Sequence, residues 1–89
     1  MYEIELQGIG KTLKRKTNDI QKTFAEIAEE MKEDIYLGGA EFKLREGGVE
    51  ANISLSSKKI RLFKNNSETR QFTEDYLMSQ LKQLKSVSL

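Results

Sequence analysis

The clearest alternation of hydrophobic and polar residues falls in residues 41–64 and is centred on Gly47 and Gly48. A Gly-Gly pair between alternating runs suits a two-residue hairpin, because both residues can adopt positive φ. This turn fixes a register in which apolar side chains face one another on one side of the strands, as a half-buried sheet requires. The predicted pairs on that side are Glu46–Val49, Leu44–Ala51, Phe42–Ile53 and Ala40–Leu55.

The alternation continues past a second turn and predicts a third antiparallel strand. Two loop lengths over residues 56–59 give the same register, in which Ile60 and Leu62 join the apolar face. A slip of one residue would turn both outward, so this register is well specified. By this register Phe63 falls on the opposite face of the sheet, which faces solvent, unless a bulge near Asn65 turns it back under the last helix or a terminus covers it. Residues 41–64 are therefore predicted to form a three-stranded antiparallel meander.

A helix is predicted before the meander, over about residues 18–36, because apolar residues recur there every three or four positions. Asn18 and Gln21 fit a capping box at its start. Glycines at 38 and 39 end it. Its predicted apolar stripe consists of Ile20, Phe24, Ile27, Met31 and Ile35.

A second helix is predicted after the meander, over about residues 67–85, because apolar residues again gather on one side. Polar residues at 65–67 favour a helix start at Ser67, although a start near Thr73 fits as well. Acidic residues early in the helix and lysines late in it suit the helix dipole. The predicted apolar side consists of Phe72, Leu77, Leu81 and Leu84.

The start of the chain contains one further strand pattern and one ambiguous segment. Residues 2–7 alternate apolar and polar side chains and predict a fourth strand, whose neighbour in the sheet the pattern does not identify. The basic run at residues 11–16 either opens the following helix or forms another strand. The resulting β-α-β-β-β-α order predicts an α+β fold, a two-layer sandwich with both helices on one face of the sheet.

Composition narrows the functional classes. The chain has 89 residues, a formal net charge of +1, no histidine and no cysteine. It therefore lacks the commonest general base, the thiolate nucleophile, disulfides and the commonest zinc ligands. Its carboxylates lie on polar faces by periodicity. We predict one domain, residues 1–89, with no enzymatic activity and no metal or cofactor.

The location expected from the sequence is the cytoplasm. The first ten residues carry Glu3 and Glu5, which a signal peptide would not. No apolar run is long enough to cross a bilayer, so membrane contact is not predicted.

Two surfaces are predicted to bind another protein. On the solvent-facing side of the sheet, Phe63 would be an exposed aromatic residue flanked by Lys43 and Arg61, a combination suited to anchoring a partner. The polar side of the first helix is acidic and suits a basic partner. The candidate residues are Lys43, Arg45, Asn52, Arg61 and Phe63 on the sheet, and Glu26, Glu29, Glu30 and Glu33 on the helix.

Nucleic-acid binding is the alternative, through basic residues at 11–16 and 58–61. The predicted α-β-β-β-α order, from the first helix onward, is similar to that of the double-stranded-RNA-binding domain. The similarity covers element order alone, because a two-residue loop at 47–48 is too short to reach a minor groove. The candidate residues are Lys11, Lys14, Arg15, Lys16, Lys58 and Lys59.

The favoured interpretation is a small, non-enzymatic domain that binds another protein. An adaptor or inhibitor of the kind that mobile genetic elements encode fits this size and composition. Association of the chain with a second copy is a further expectation, because a small sheet leaves strand edges open.

Overall fold

The computed structural model describes residues 1–8, 11–31 and 38–87, and these residues form a four-stranded antiparallel sheet and three helices. The predicted α+β class is confirmed. The elements in chain order are β1 (Tyr2–Gly8), β2 (Lys11–Thr17), α1 (Ile20–Glu30), β3 (Ala40–Glu46), β4 (Val49–Leu55), α2 (Ser57–Asn65) and α3 (Ser67–Val87). The strand order is β2-β1-β3-β4. One hydrophobic cluster fills the space between one sheet face and the helices.

The hairpin between β3 and β4 has the predicted geometry. Gly47 and Gly48 have φ values of 59° and 81°, in the left-handed region where a side chain would add strain. The register is also the predicted one, with Leu44 across from Ala51. Both of these side chains are buried, so the apolar face of the hairpin is the face that the helices cover.

The first strand lies in the middle of the sheet, a position that the sequence pattern did not identify. The predicted strand is present as β1, and it pairs antiparallel with both β2 and β3. The ambiguous basic run is strand β2. Glu3 lies across from Lys16, and Glu5 lies across from Lys14, so opposite charges favour this pairing.

The predicted third strand of the meander is wrong, because this segment forms helix α2. Ser56 caps the helix, since its Oγ accepts a hydrogen bond from the backbone N–H of Lys59 at 3.3 Å. On a helix Ile60 and Phe63 are three residues apart and point the same way, and both are buried. Leu62, which was predicted to face the core, is 44% exposed.

Of the two placements that the sequence leaves open for Phe63, exposure on the sheet or burial under the last helix, the structure shows burial, on helix α2 rather than after a bulge. Its side chain is fully buried, and its ring centroid lies 5.2 Å from that of Phe24 and 4.7 Å from that of Phe42. This three-ring cluster joins α2 to α1 and β3. The similarity to the double-stranded-RNA-binding domain also ends here, because the order from α1 onward is α-β-β-α-α.

Helix α1 begins one residue later than the capping box predicted. Asp19, rather than Asn18, is the N-cap, and its carboxylate accepts a hydrogen bond from the backbone N–H of Lys22 at 3.1 Å. The helix ends at Glu30, and the predicted continuation over residues 32–36 lies outside the described residues. The predicted stripe is confirmed where it is described, and Ile35 is its one member outside. The buried members are Ile20, Phe24, Ile27 and Met31.

Helix α3 begins at Ser67, one of the two predicted starts. Leu77 and Leu81 are buried as predicted, but Phe72 and Leu84 are exposed, which corrects their assignment to the core. The buried residues Thr73, Leu77 and Leu81 recur every four positions and form one stripe. Each residue turns the helix by about 100°, so the residue that precedes Thr73 points away from that stripe.

Candidate protein-binding surfaces

The outer sheet face, on the side away from the helices, carries rows of alternating charge. In one row Lys16, Glu3, Arg45 and Glu50 lie side by side across the four strands. Arg45 donates hydrogen bonds of 2.7 Å to Glu50 and to Glu3. These bonds, with one to Glu5, raise the pKa of the Arg45 guanidinium, and the bond to Glu50 contributes most. Cross-strand pairs of this kind stabilise a sheet.

Glu5 is the centre of the next row, between Lys14 and Lys43. It is only 3% exposed, and its carboxylate lies 3.0 Å from Arg45 Nη1 and 3.9 Å from Lys14 Nζ. Gln7 donates a further hydrogen bond to it. Burial raises the pKa of Glu5, but Arg45, Gln7 and Lys14 together bring it below its ordinary value. Glu5 is therefore an ionised, fully partnered carboxylate.

The residues predicted to bind a partner on this face are only partly brought together. Lys43, Arg45 and Asn52 lie on the outer sheet face, as the hairpin register predicts. Lys43 and Arg45 are both engaged in ion pairs. Arg61 is exposed on α2 instead, and Phe63 is in the core. The predicted aromatic anchor between two cations is therefore not present.

The acidic side of α1 is exposed where it is described. Glu26, Glu29 and Glu30 all face solvent, and Glu33 lies outside the described residues. Arg15 of β2 donates from one guanidinium nitrogen to both carboxylate oxygens of Glu30, at 2.7 and 2.8 Å. Part of this acidic surface is therefore already neutralised by the neighbouring strand.

The basic residues predicted to contact nucleic acid do not form one patch. Alternation along β2 places Lys14 on the outer sheet face and Arg15 on the helix side. Lys58 and Lys59 belong to the first turn of α2, which begins directly after β4 at the other edge of the sheet. Two strands therefore lie between β2 and the strand that leads into α2.

A surface that sequence reasoning missed lies on the solvent side of α3. Three apolar or aromatic side chains are exposed there, and they form what we call the α3 outer stripe. Phe72 and Val87 are the most exposed, at 60% and 83%. The members of the stripe are Phe72, Tyr76 and Val87, while Leu84 is exposed near the helix end but lies seven residues after Leu77, on the side that faces the core. The four-residue spacing of Phe72 and Tyr76 was the available signal.

The α3 outer stripe is tied to the sheet at Gln80. The side-chain carbonyl of Gln80 accepts a hydrogen bond from the backbone N–H of Asn52 at 3.1 Å, and its amide donates to the Tyr76 hydroxyl at 3.0 Å. Asn52 belongs to the edge strand β4. The bond therefore satisfies a backbone donor of that edge and fixes the position of α3 along it.

Two cations near the α2–α3 junction are used inside the fold. Lys64 Nζ donates to the carbonyls of Ala28 and Met31, at 2.9 and 2.6 Å, where α1 ends. Arg70 Nη1 donates to the carbonyls of Phe63 and Lys64, at 2.8 and 3.1 Å, near the end of α2. Such bonds satisfy the last carbonyls of a helix and suit its dipole. The Lys64 bonds join α2 to the end of α1, and the Arg70 bonds join α3 to the end of α2.

One cleft of about 530 Å³ opens beside the Gly47 turn, and its guanidinium, Arg45, already has carboxylate partners. Within the described ranges no group of three or more acidic side chains is placed to hold a metal ion. Nor does any helix of this part of the chain have the length and apolar character needed to span a membrane.

Comparisons of the chain with protein-family models, with curated proteins and with solved structures found no match. Function is therefore inferred from the surfaces themselves.

Proposed function

We propose that this protein is a non-enzymatic interaction module that binds another protein through the α3 outer stripe. The observation that carries the proposal is the exposure of Phe72 and its apolar neighbours on a helix whose opposite side is packed on the core. Large aromatic side chains supply much of the energy of protein interfaces. An exposed group of aromatic and aliphatic side chains on one side of a helix is a candidate contact surface. An adaptor or inhibitor would use it in this way.

The other surfaces support this choice by contrast. Arg45 and Glu5 of the outer sheet face and Glu30 of α1 already have charged partners in the chain. A protein that bound there would first have to replace those bonds, which offsets most of the gain. The exposed carboxylates of Glu26 and Glu29 suit the polar rim of an interface better than its centre.

Nucleic-acid binding draws less support from the same geometry. Lys14 contacts Glu5, and Arg15 contacts Glu30, so neither cation offers a charge that is unopposed. Phosphate binding depends on releasing counterions from such charges, and it is strongest at low salt. We expect no shift of RNA or DNA by the protein in a gel at low ionic strength. A shift that weakens steeply with added salt would instead support the alternative.

Site-specific photo-crosslinking tests the proposal. A photoreactive amino acid is placed at Phe72 on α3, at Lys43 on the outer sheet face, or at Glu29 on α1, in three separate variants. We expect a crosslinked protein adduct from position 72 and none of similar yield from the other two. Adducts formed only from 43 or 29 would contradict the assignment to α3.

A matched pair of substitutions controls for the local surface. Tyr76→Ser in the chain with the probe at 72 should abolish the adduct, because it removes the neighbouring member of the stripe. Leu62→Ser removes an exposed leucine from α2, outside the stripe, and should leave the adduct unchanged. Equal loss in both variants would point to general adhesion of apolar surface rather than to a specific site.

A further inference from the structure

The exposed side of helix α2 carries three cations and one leucine, which we call the α2 basic face. All four side chains are exposed, whereas Ile60 and Phe63 on the other side of the helix are buried. Successive residues of a helix are about 100° apart, so the four are separated around it by steps of about 60°, 40° and 60°. In that order they are Arg61, Lys58, Leu62 and Lys59. The leucine therefore lies between the two lysines.

The cations of the α2 basic face have no counter-charge in the described part of the chain. Helix α2 contains no acidic residue, and the ion pairs of the described residues include none of Lys58, Lys59 and Arg61. On the outer sheet face, by contrast, the guanidinium of Arg45 is bonded to carboxylates. A partner that brings carboxylates to the α2 basic face displaces no ion pair, so less of the binding free energy is offset.

Two of these cations are placed unfavourably for the helix itself. Lys58 and Lys59 lie in the first turn of α2, where the helix dipole carries partial positive charge. Cations weaken a helix at this end, and the acidic residues that would strengthen it are absent from the turn. Such departures from local rules are expected at functional sites. A negatively charged partner would explain the position of both lysines, which the stability of the helix does not.

We propose that the α2 basic face binds an acidic segment of another protein, with an apolar residue of that segment against Leu62 and its carboxylates against the three cations. This is a second contact surface, in addition to the α3 outer stripe. Protein interfaces combine an apolar centre with a polar rim, and opposite charges across them favour the correct partner. Nucleic acid fits less well, because phosphate contacts leave Leu62 uncovered and three cations release few counterions.

Selection from a random peptide library displayed on phage tests the chemistry of the partner. The wild-type chain is the target, and the variant Lys58→Glu/Lys59→Glu removes phage that bind elsewhere on the protein. We expect the recovered peptides to carry acidic residues on both sides of an apolar residue. Recovery of no peptide, or of peptides without an excess of acidic residues, would overturn the proposal.

The affinity of a recovered peptide, synthesised with a fluorescent label, is then measured by fluorescence anisotropy. Lys58→Glu/Lys59→Glu should weaken binding at least about tenfold, and Leu62→Ser about threefold or more. The matched control Lys22→Glu/Lys82→Glu makes the same change in net charge at two exposed lysines outside α2, and it should leave the affinity unchanged. Equal weakening by the control would show an effect of net charge alone and would contradict a local site.

Stability separates a binding role of the two lysines from a structural one. Because cations oppose the helix dipole at the start of α2, Lys58→Glu/Lys59→Glu should raise the thermal midpoint of unfolding while it weakens peptide binding. A lowered midpoint would show that the lysines stabilise the fold, and it would overturn their assignment to a contact surface.

Other partners of the α2 basic face give different results in the same assay. Duplex RNA and vesicles that contain phosphatidylserine are each titrated with the wild-type chain and with Lys58→Glu/Lys59→Glu. We expect neither to bind the wild-type chain as tightly as the recovered peptide does. Tighter binding of either one that is lost in the variant would identify a nucleic acid or a membrane as the partner and would overturn the proposal.

Discussion

The outer sheet face and the α3 outer stripe both face solvent, but they differ in what they leave unsatisfied. On the sheet, Glu5 is a carboxylate buried among its own counter-charges, and Arg45 bonds three carboxylates at once. On α3, Phe72 and Val87 are exposed side chains whose apolar surface remains in contact with water. The central charges of the outer sheet face have partners within the chain, whereas the apolar side chains of the α3 outer stripe remain uncovered.

The number of charged groups on a surface therefore does not measure how readily that surface binds a partner. A partner that binds at existing ion pairs must first replace them, which offsets the favourable binding free energy. Covering apolar surface instead contributes about 25 cal/mol of favourable free energy per Å² removed from water. We therefore expect substitutions of buried or paired side chains to change stability more than substitutions of exposed ones.

The largest effect should separate two phenylalanines on neighbouring helices. Phe63→Ala should lower the free energy of unfolding by about 3–5 kcal/mol, because it removes the ring that contacts Phe24 and Phe42 and leaves a cavity. Phe72→Ala, the matched control, should change it by no more than about 0.5 kcal/mol. Chemical denaturation at low protein concentration measures both. Equal losses would mean that Phe72 is part of the core after all.

The second prediction concerns the outer sheet face. Glu5→Gln should cost about 1–3 kcal/mol at neutral pH, because it removes the charge that pairs with Arg45 and replaces one of two oxygens that accept hydrogen bonds by a donor. The pKa of Glu5 is below its ordinary value, so the ionised form stabilises the fold at neutral pH. That contribution is lost as pH falls through the folded-state pKa, so the wild type and the variant should converge in acid. A difference that does not depend on pH would contradict this.

The third prediction concerns a cation used inside the fold. Lys64→Met keeps most of the side-chain stem but removes the donor to the Ala28 and Met31 carbonyls. We expect a loss of about 1–2 kcal/mol in the free energy of unfolding. Lys59→Met, on an exposed position of the same helix, should have no comparable effect. Similar denaturation midpoints for the two variants would show that the Lys64 bonds do not stabilise the fold.

The smallest effect should have the opposite sign. Burial raises the pKa of Glu74, and the nearby carboxylates Asp75 and Asp19 raise it further. Ionised Glu74 is therefore unfavourable in the folded protein at neutral pH, and Glu74→Gln should stabilise it by about 0.5 kcal/mol or less. This penalty disappears as pH falls through the raised folded-state pKa, so the advantage of the variant should fade in acid. Thermal melts at several pH values would show it.

The parts of the fold that local rules determine could be predicted from the sequence. Gly47 and Gly48 supply the backbone freedom that a two-residue hairpin needs, and they therefore fix the whole β3–β4 register. The apolar stripe of α1 follows the helical period closely. The place of β1 in the sheet depends on pairing between distant segments, so only the charges of β1 and β2 hinted at it.

Helix α2 was missed because its apolar residues fit two periods. Ile60 and Leu62 have the two-residue spacing of a strand, and Ile60 and Phe63 have the three-residue spacing of a helix. A segment this short does not distinguish the two periods. Two helix signals were present. Ser56 is a favourable N-cap residue. Leu55 directly precedes that cap and Ile60 is the fourth residue of the helix, and apolar residues at these two positions form a hydrophobic staple. Phe63, the one residue that did not fit the sheet, marked the error.

The candidate site could not be predicted because α3 is apolar on more than one side. Phe72 and Leu81 are both hydrophobic, so residue type alone does not distinguish the buried side of the helix from the exposed one. Only one side of the helix can face β3 and β4. Which side is covered depends on how α1 and α2 direct the helix across the sheet, through bonds such as that of Arg70. The four-residue spacing of Phe72 and Tyr76 indicates an apolar row, but it does not show that long-range packing leaves this row uncovered.

The hydrogen bond from Asn52 to Gln80 has a consequence for how these molecules can aggregate. It satisfies one backbone donor of the edge strand β4, and the opposite edge strand, β2, bears Lys11, Lys14 and Lys16. Both features disfavour pairing of an additional strand with an edge of the sheet, and they therefore disfavour growth into amyloid-like fibres. Copies of this protein that meet at high concentration should form finite particles rather than filaments.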